Sequence, residues 1–193
     1  MSQENISRTT VQGASRDVSP IRMMTTTAVC VALLAVSAYI SFPLPFTPAM
    51  VTALTIVVNL VAFIMKPKQA VMTILIYLLL GVAGVPVFVG GTSGLIKIIG
   101  PTGGFNLGFL AAVAAMSAFR GDSHDFRRLV TAGICIGMPV IYICGCISMY
   151  AVNRIGVWAT LVSAVFPFLI GDVLKVVVAA MLASRLYRYG IGK

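Results

Sequence analysis

The stretch FPFLIGDVLKVVVAAML, residues 166–182, is apolar along its length except for Asp172 and Lys175. With its apolar flanks, a helix rising 1.5 Å per residue here is long enough to cross a hydrocarbon core of about 30 Å. A charge at mid-membrane costs roughly 2.5–3.5 kcal/mol on insertion scales, so neither charge belongs on a lipid face. Positions three apart share one side of a helix, and the acid and the base offset each other there. Two readings follow: a self-neutralised pair that fixes helix packing, or the polar part of a site facing an interior cavity. No other charged residue falls in an apolar span to partner either one. That favours the site, as does Pro167, which frees the carbonyl of Ser163 and predicts a kink opening space above the pair.

The rest of the chain belongs to the same solvent. Of 193 residues, 59% are hydrophobic and 10% charged, against about a quarter charged in ordinary soluble domains, and the mean hydropathy is +1.02. Apolar windows lie at roughly 22–41, 49–65, 69–88, 103–119, 129–150 and 158–184. This predicts an all-α integral membrane protein, a bundle of six transmembrane helices. The first window does not read as a cleavable signal, because its polar leader is long, its apolar run is long, and no soluble domain follows for it to export.

Lysines and arginines collect in cytoplasmic loops, and their distribution orients the bundle. With the N-terminus inside, Arg8, Arg16, Arg22, Lys66, Lys68, Arg120, Arg127, Arg128, Arg185, Arg188 and Lys193 are cytoplasmic, and only Lys97 and Arg154 lie outside. Both termini are therefore expected in the cytoplasm. The net charge of +9 is topological. The basic residues are dispersed and not interleaved with stacking aromatics, which argues against a nucleic-acid partner. Residues 1–20 read as a disordered cytoplasmic tail, 21–188 as one transmembrane domain, and 189–193 as a short cytoplasmic tail.

The external connections carry more information than the spans. In SFPLPFTPA, residues 41–49, Pro43, Pro45 and Pro48 remove backbone donors and force an extended path. With Phe42, Leu44 and Phe46 it is either a lid folded back on the protein or a stiff hairpin at headgroup level. GVPVFVGGTSGLIKIIGPTGGFNLG, residues 84–108, is rich in glycine and lacks the G-x-x-x-x-G-K-[ST] spacing of a phosphate loop. Irregular backbone of this kind is tolerated at membrane depth where it lines a cavity or is buried in protein. The segment, with Thr92, Ser93, Thr102 and Lys97, reads as one wall of a ligand pocket. Cys30, Cys135, Cys144 and Cys146 lack metal-site spacing and read as small packing residues, and His124 reads as a solvated loop residue. No dyad of familiar catalytic spacing is present, so an enzyme is not expected.

PLPFTPAMVTALTI, YLLLGVAGVPVFVGGTSGLIKIIGPTGGF and PFLIGDVLK together resemble, in order and spacing, the BioY family. These are the biotin-binding S components of energy-coupling-factor (ECF) vitamin transporters. The resemblance spans about 22–187; GPTGGF combined with PFxxGDxxK at this separation is specific, and either half alone is less so. It implies a six-helix bundle in a bacterial or archaeal cell membrane and high-affinity capture of biotin near the external face. It further implies assembly with a transmembrane coupling protein and two ATP-binding subunits that hydrolyse ATP, since this chain has no Walker motif. Biotin is then the transported ligand, and no cofactor or metal is implied.

Biotin's chemistry suits the pair. Its ureido ring offers two N–H donors and a carbonyl: Asp172 can accept from the former, while Lys175 can donate to the latter or keep Asp172 ionised. Gly91, Thr92 and Ser93 would complete the polar contacts, although the family carries an asparagine in this loop region. Phe46, Phe88 and Phe105 suit the apolar bicycle and valeryl chain, or serve as interfacial anchors. Lys97 either meets the ligand carboxylate or lies in external solvent. On the first helix, Ala28, Ala32 and Ala35 form a small-xxx-small stripe that packs within the bundle or, as the resemblance implies, docks on the coupling protein. The alternative function is a proton-coupled secondary transporter using Asp172; it lacks visible inverted repeats and paired broken helices.

Overall fold

The computed structural model describes residues 20–43, 50–154 and 156–189. The expected terminal tails lie outside them except for Pro20 and Tyr189, as do Phe46, Leu44, Pro45 and Pro48. The chain is mostly helical. In order come α1 (Pro20–Tyr39), β1 (Ser41–Pro43), β2 (Met50–Thr52), α2 (Leu54–Ile64), α3 (Pro67–Val82) and the short α4 (Ile96–Ile99). There follow α5 (Gly103–Arg120), α6 (Phe126–Ala132), α7 (Met138–Asn153), α8 (Val157–Ala164) and α9 (Phe166–Arg188). A π-helical turn, Gly133–Gly137, joins α6 to α7 into a continuous rod.

Three helices among the described residues are long and apolar enough to cross a membrane: Pro20–Tyr39, Phe126–Asn153 and Phe166–Arg188. Leu54–Ile64 and Pro67–Val82 are shorter apolar helices. Lipid gives helices no hydrophobic reason to associate, so close van der Waals packing of small residues must hold such a bundle together. The tightest seam here lies between α5 and α7. A Cβ on Gly104 would strike the carbonyl oxygen of Cys144, and one on Gly108 would come within 3.1 Å of the Cys144 Cβ. Across the seam Gly145 receives the Phe105 ring. The stripe Gly104-xxx-Gly108-xxx-Ala112, all buried, thus lets two backbones approach as bulkier residues would not.

Several expected boundaries move, each for a local reason. The last span is two helices: the turn breaks at Val165 (φ −119°, ψ −60°), just before Pro167, which sits in the first turn of α9 where a missing N–H costs nothing. The fifth span runs unbroken from 126 to 153, but Pro139 cannot donate to Cys135, and the backbone takes up the mismatch in the π turn. The third helix ends at Val82; Gly84 then takes φ +102° and the chain leaves the helix before Phe88. The 41–53 connection holds a two-stranded antiparallel ribbon pairing Ser41 with Thr52 and Pro43 with Met50. This ribbon is the departure from an all-α chain.

Two ends of the bundle are distinct. At one, the C-terminal end of α1 meets the glycine-rich segment: Tyr39 Oη donates to Pro86 O (2.7 Å), and Gly90 N donates to Ala38 O (3.2 Å). At the other, the C-terminal ends of α2, α5 and α9 converge on Arg120, 3% exposed. Its guanidinium donates to Met65 O (2.9 Å) and Tyr187 Oη (3.0 Å), while Tyr187 donates to Phe63 O (2.7 Å). His124 stacks on Tyr187 at 3.5 Å and is therefore not simply a solvated loop residue.

Candidate functional site

α9 carries Asp172 and Lys175 on the face turned inward, and the expected pair forms: Lys175 Nζ donates to Asp172 Oδ1 at 2.8 Å, each side chain 14% exposed. Asp172 Oδ2 is also engaged. Tyr142 on α7 donates its phenol to it at 2.7 Å, so both carboxylate oxygens are held from opposite sides. Each oxygen keeps a further lone pair, because an ionised carboxylate accepts about four hydrogen bonds.

The group lines a cavity of about 130 Å³. One water needs on the order of 10–15 Å³ on the same measure, so the space suits a small organic molecule. The walls come from β2, α2, the glycine-rich segment, α4, α5, α7, α8 and α9. Met50 and Thr52 (β2) and Thr55 (α2) form one side; Phe88, Val89 and Thr92 come from the glycine-rich segment, and Lys97 from α4. Thr102 precedes α5, which supplies Phe105, Asn106 and Phe109, and Ile141, Tyr142, Ala164 and Phe168 complete the ring around Asp172 and Lys175. The lining is mainly apolar with a few convergent polar groups, as ligand pockets generally are.

The glycine-rich segment builds its wall through a tight hairpin. Phe88 and Thr92 pair antiparallel (Phe88 N to Thr92 O, 2.9 Å), and Gly90 and Gly91 turn the chain at φ +74° and +69°. Side chains with a Cβ are strained at both. The hairpin drives Phe88 inward, 1% exposed, edge-on to Tyr77 at 5.7 Å. Its ring fills the space that a Cβ on Gly81 would need. Phe88 is thus both core and cavity wall. Asn106 Nδ2 donates to Lys97 O (3.0 Å), which ties α4 to the first turn of α5.

Of the residues expected from sequence, Asp172, Lys175, Thr92, Phe88 and Phe105 line the cavity together, and Lys97 joins them half-buried. Gly91 and Ser93 do not. Gly91 is a turn residue whose Cβ would approach the Tyr39 ring at 3.0 Å, and the Thr92 hydroxyl is spent on Val89 O (2.9 Å). Ala28 and Ala32 are exposed on α1 and Ala35 is half-buried, so the first two do not pack inside this chain's own bundle. Sequence reasoning missed Tyr142, Asn106 and Thr55. A tyrosine and an asparagine inside apolar segments are themselves signals, since buried phenols and amides need partners. Thr55 Oγ1 is buried without a protein partner among the described residues, which marks it as a group for a ligand to satisfy.

The BioY family model matches residues 7–190. A probable biotin transporter BioY of Pyrococcus horikoshii is 33% identical over 82% of this chain and 92% of its own length. The biotin transporter BioY of Thermotoga maritima is 31% identical over 86% and 96%. Among solved structures, a crystal structure of the S component for biotin from an ECF-type ABC transporter superposes with a TM-score of 0.83. It covers 90% of this chain and 96% of that one at 19% identity, a likeness of fold.

Proposed function

This chain belongs to the BioY family, and from that premise we propose that it is the biotin-binding S component of an ECF-type importer. The observation that carries the reading is an ion pair enclosed in a mainly apolar cavity of a membrane protein. Asp172 and Lys175 present an acceptor and a donor side by side on one helix face. One edge of a cyclic urea presents the complement, an N–H beside a carbonyl. Thr55, with its unpaired hydroxyl, and Asn106 are the polar groups we assign to the rest of the ring. Asn106 is also our candidate for the asparagine expected near this loop. Phe88, Phe105, Phe109 and Phe168 suit the bicycle and valeryl chain, and we assign the carboxylate to Lys97, which lines the same cavity. Phe46 belongs to the expected set but lies outside the described residues.

The membrane arrangement we propose is six spans with both termini cytoplasmic. Helix α2, 11 residues long, reaches only about 16 Å and needs the extended residues Met50–Thr52 to complete its crossing. Such backbone is tolerated where it lines a cavity, and Met50 and Thr52 do so. Ala28 and Ala32 leave a smooth strip on α1 open to another membrane helix. We take it as the docking surface for the coupling protein, with ATP hydrolysis in two further subunits, biotin as cargo and no cofactor. Asp172 is held by Lys175 and Tyr142, a poor arrangement for a proton carrier, which weighs against proton-coupled transport.

Titration calorimetry of the detergent-solubilised chain with biotin, without ATP, tests the binding role. One biotin per chain is expected, and a folded protein giving no heat at micromolar biotin overturns it. For the docking strip, Ala28→Trp with Ala32→Trp is expected to spare binding and block uptake by cells carrying the partner subunits. Normal uptake would remove α1 from the interface.

A further inference from the structure

We infer that Tyr142 is a positioning residue for the ligand: its phenol holds the Asp172 carboxylate in the orientation that receives the ring N–H. The inference rests on the biotin reading above and assigns a role within that site.

The geometry is specific. Lys175 and Asp172 lie on one helix and meet through Oδ1, so that contact alone leaves the carboxylate free to rotate about its Cβ–Cγ bond. Tyr142 approaches from α7 and binds Oδ2 at 2.7 Å. Two donors from two helices define the carboxylate plane. The same pair forms a floor. Beneath the main cavity a cleft of about 10 Å³ is lined by Thr55, Asn59, Met138, Ile141, Tyr142, Asp172 and Val176. Thr55, Ile141, Tyr142 and Asp172 border both spaces, so the Tyr142–Asp172 bond lies in the partition between the ligand cavity and a space fit for at most about one water.

The register of Tyr142 has a visible cause. The π turn Gly133–Gly137 puts one extra residue into the rod just before Pro139, and such an insertion rotates everything after it by about 100° relative to a plain helix. Tyr142 follows one turn later and faces α9. The glycines also permit the turn's location: a Cβ on Gly133 would strike Val176 of α9, and one on Gly137 would strike Met116 of α5. The titratable groups facing the cavity are Asp172 and Lys175 from α9, Tyr142 from α7 and Lys97 from α4; among these Tyr142 is the one neutral donor on the carboxylate.

Tyr142→Phe keeps the ring and removes the donor. A hydrogen bond to a charged group is worth enough that biotin affinity should fall about tenfold to a hundredfold, with the thermal midpoint of the ligand-free protein within a few degrees of native. A second readout separates positioning from bulk structure. In protein labelled with ¹³C at aspartate carboxyl carbons, four signals arise, from Asp17, Asp122, Asp125 and Asp172, and Asp172→Asn assigns the last. In ligand-free Tyr142→Phe the Asp172 signal should move and the other three should stay. Affinity within twofold of native, or an unmoved Asp172 signal, overturns the positioning role while the biotin reading stands. A native chain that binds no biotin overturns the biotin reading itself, and the positioning role with it.

Discussion

Among the described residues the bundle encloses charge at two places, Arg120 and the Asp172–Lys175 pair, and the two are built on opposite logic. At the Arg120 end, the guanidinium donates to Tyr187 and to the Met65 carbonyl, and Tyr187 donates to the Phe63 carbonyl, while Arg120 Nε is buried without a partner among the described residues. The group caps the end of α2, whose last carbonyls would otherwise lack partners. Asp172 also has a tyrosine, and in addition a charged neighbour in Lys175, yet its group borders open space lined by phenylalanines. A buried charge surrounded by protein is a fastener. A buried charge with lone pairs turned to a cavity is a receptor. The two charges are opposite in sign, but enclosure and a tyrosine partner are common to both, and the empty volume beside one of them makes the difference.

Exchanging the charges is the sharpest way to break this contrast. Asp172→Ala should abolish measurable biotin binding, a loss of more than a hundredfold, while the chain still inserts and its thermal midpoint changes little. Calorimetry beside a melting curve checks both, and near-native affinity would return the Asp172–Lys175 pair to a packing role. Arg120→Met should do the reverse. It strands the Met65 carbonyl in a dry setting, at about 1–3 kcal/mol for a group left unpaired, and takes from Tyr187 the donor to its hydroxyl, which keeps its own bond to Phe63 O. The midpoint should fall clearly, while whatever fraction stays folded binds biotin within about twofold of native. A variant equally poor at both would mean that the two ends are coupled.

Packing gives a second, more moderate test. Gly104→Val would push α7 away from α5, since its Cβ meets the Cys144 carbonyl. Overpacking of this sort costs typically 1–3 kcal/mol. Because α5 also carries Phe105 and Asn106, stability and affinity should fall together, unlike in either charge variant. Retained affinity at a lowered midpoint would show that the cavity tolerates displacement of its α5 wall.

The uneven legibility of the two ends has a physical cause. Asp172 and Lys175 stand out because charge in an apolar run is conspicuous, and their i, i+3 spacing decides their contact within one helix. Phe88, Thr92 and Phe105 were traceable because glycine clusters announce irregular backbone. Tyr142 was not: its partner lies 30 residues away, and its direction depends on a π turn that no periodicity predicts. Gly91 and Ser93 sit beside Thr92 in the chain, but a hairpin turns neighbours apart, so proximity in sequence misled. The alanine stripe on α1 is visible as spacing, while Gly104 and Gly108 fall where the glycine-rich connection and the fourth apolar window overlap, so their spacing does not stand out as a packing seam. Arg120, placed at the end of a span, looked like one more topological cation, and nothing local tells a solvated arginine from one buried beneath three helix ends.

The smallest expected effect concerns His124, which belongs to the Arg120 end. Its Nδ1 lies 3.3 Å from Arg120 Nη1 and accepts in the tautomer protonated on Nε2, and its ring stacks on Tyr187 with planes 14° apart. Arg120 already donates to two shorter acceptors, so the imidazole contributes chiefly as a plate covering Tyr187. His124→Phe keeps a flat ring and loses the acceptor; a change within about 0.5–1 kcal/mol is expected, with biotin affinity untouched. His124→Ala uncovers the phenol and should cost more than His124→Phe, and melting curves of the two variants measure the gap. If the order were reversed, the acceptor would outweigh the plate, and the fastener at this end would depend on the histidine's tautomer.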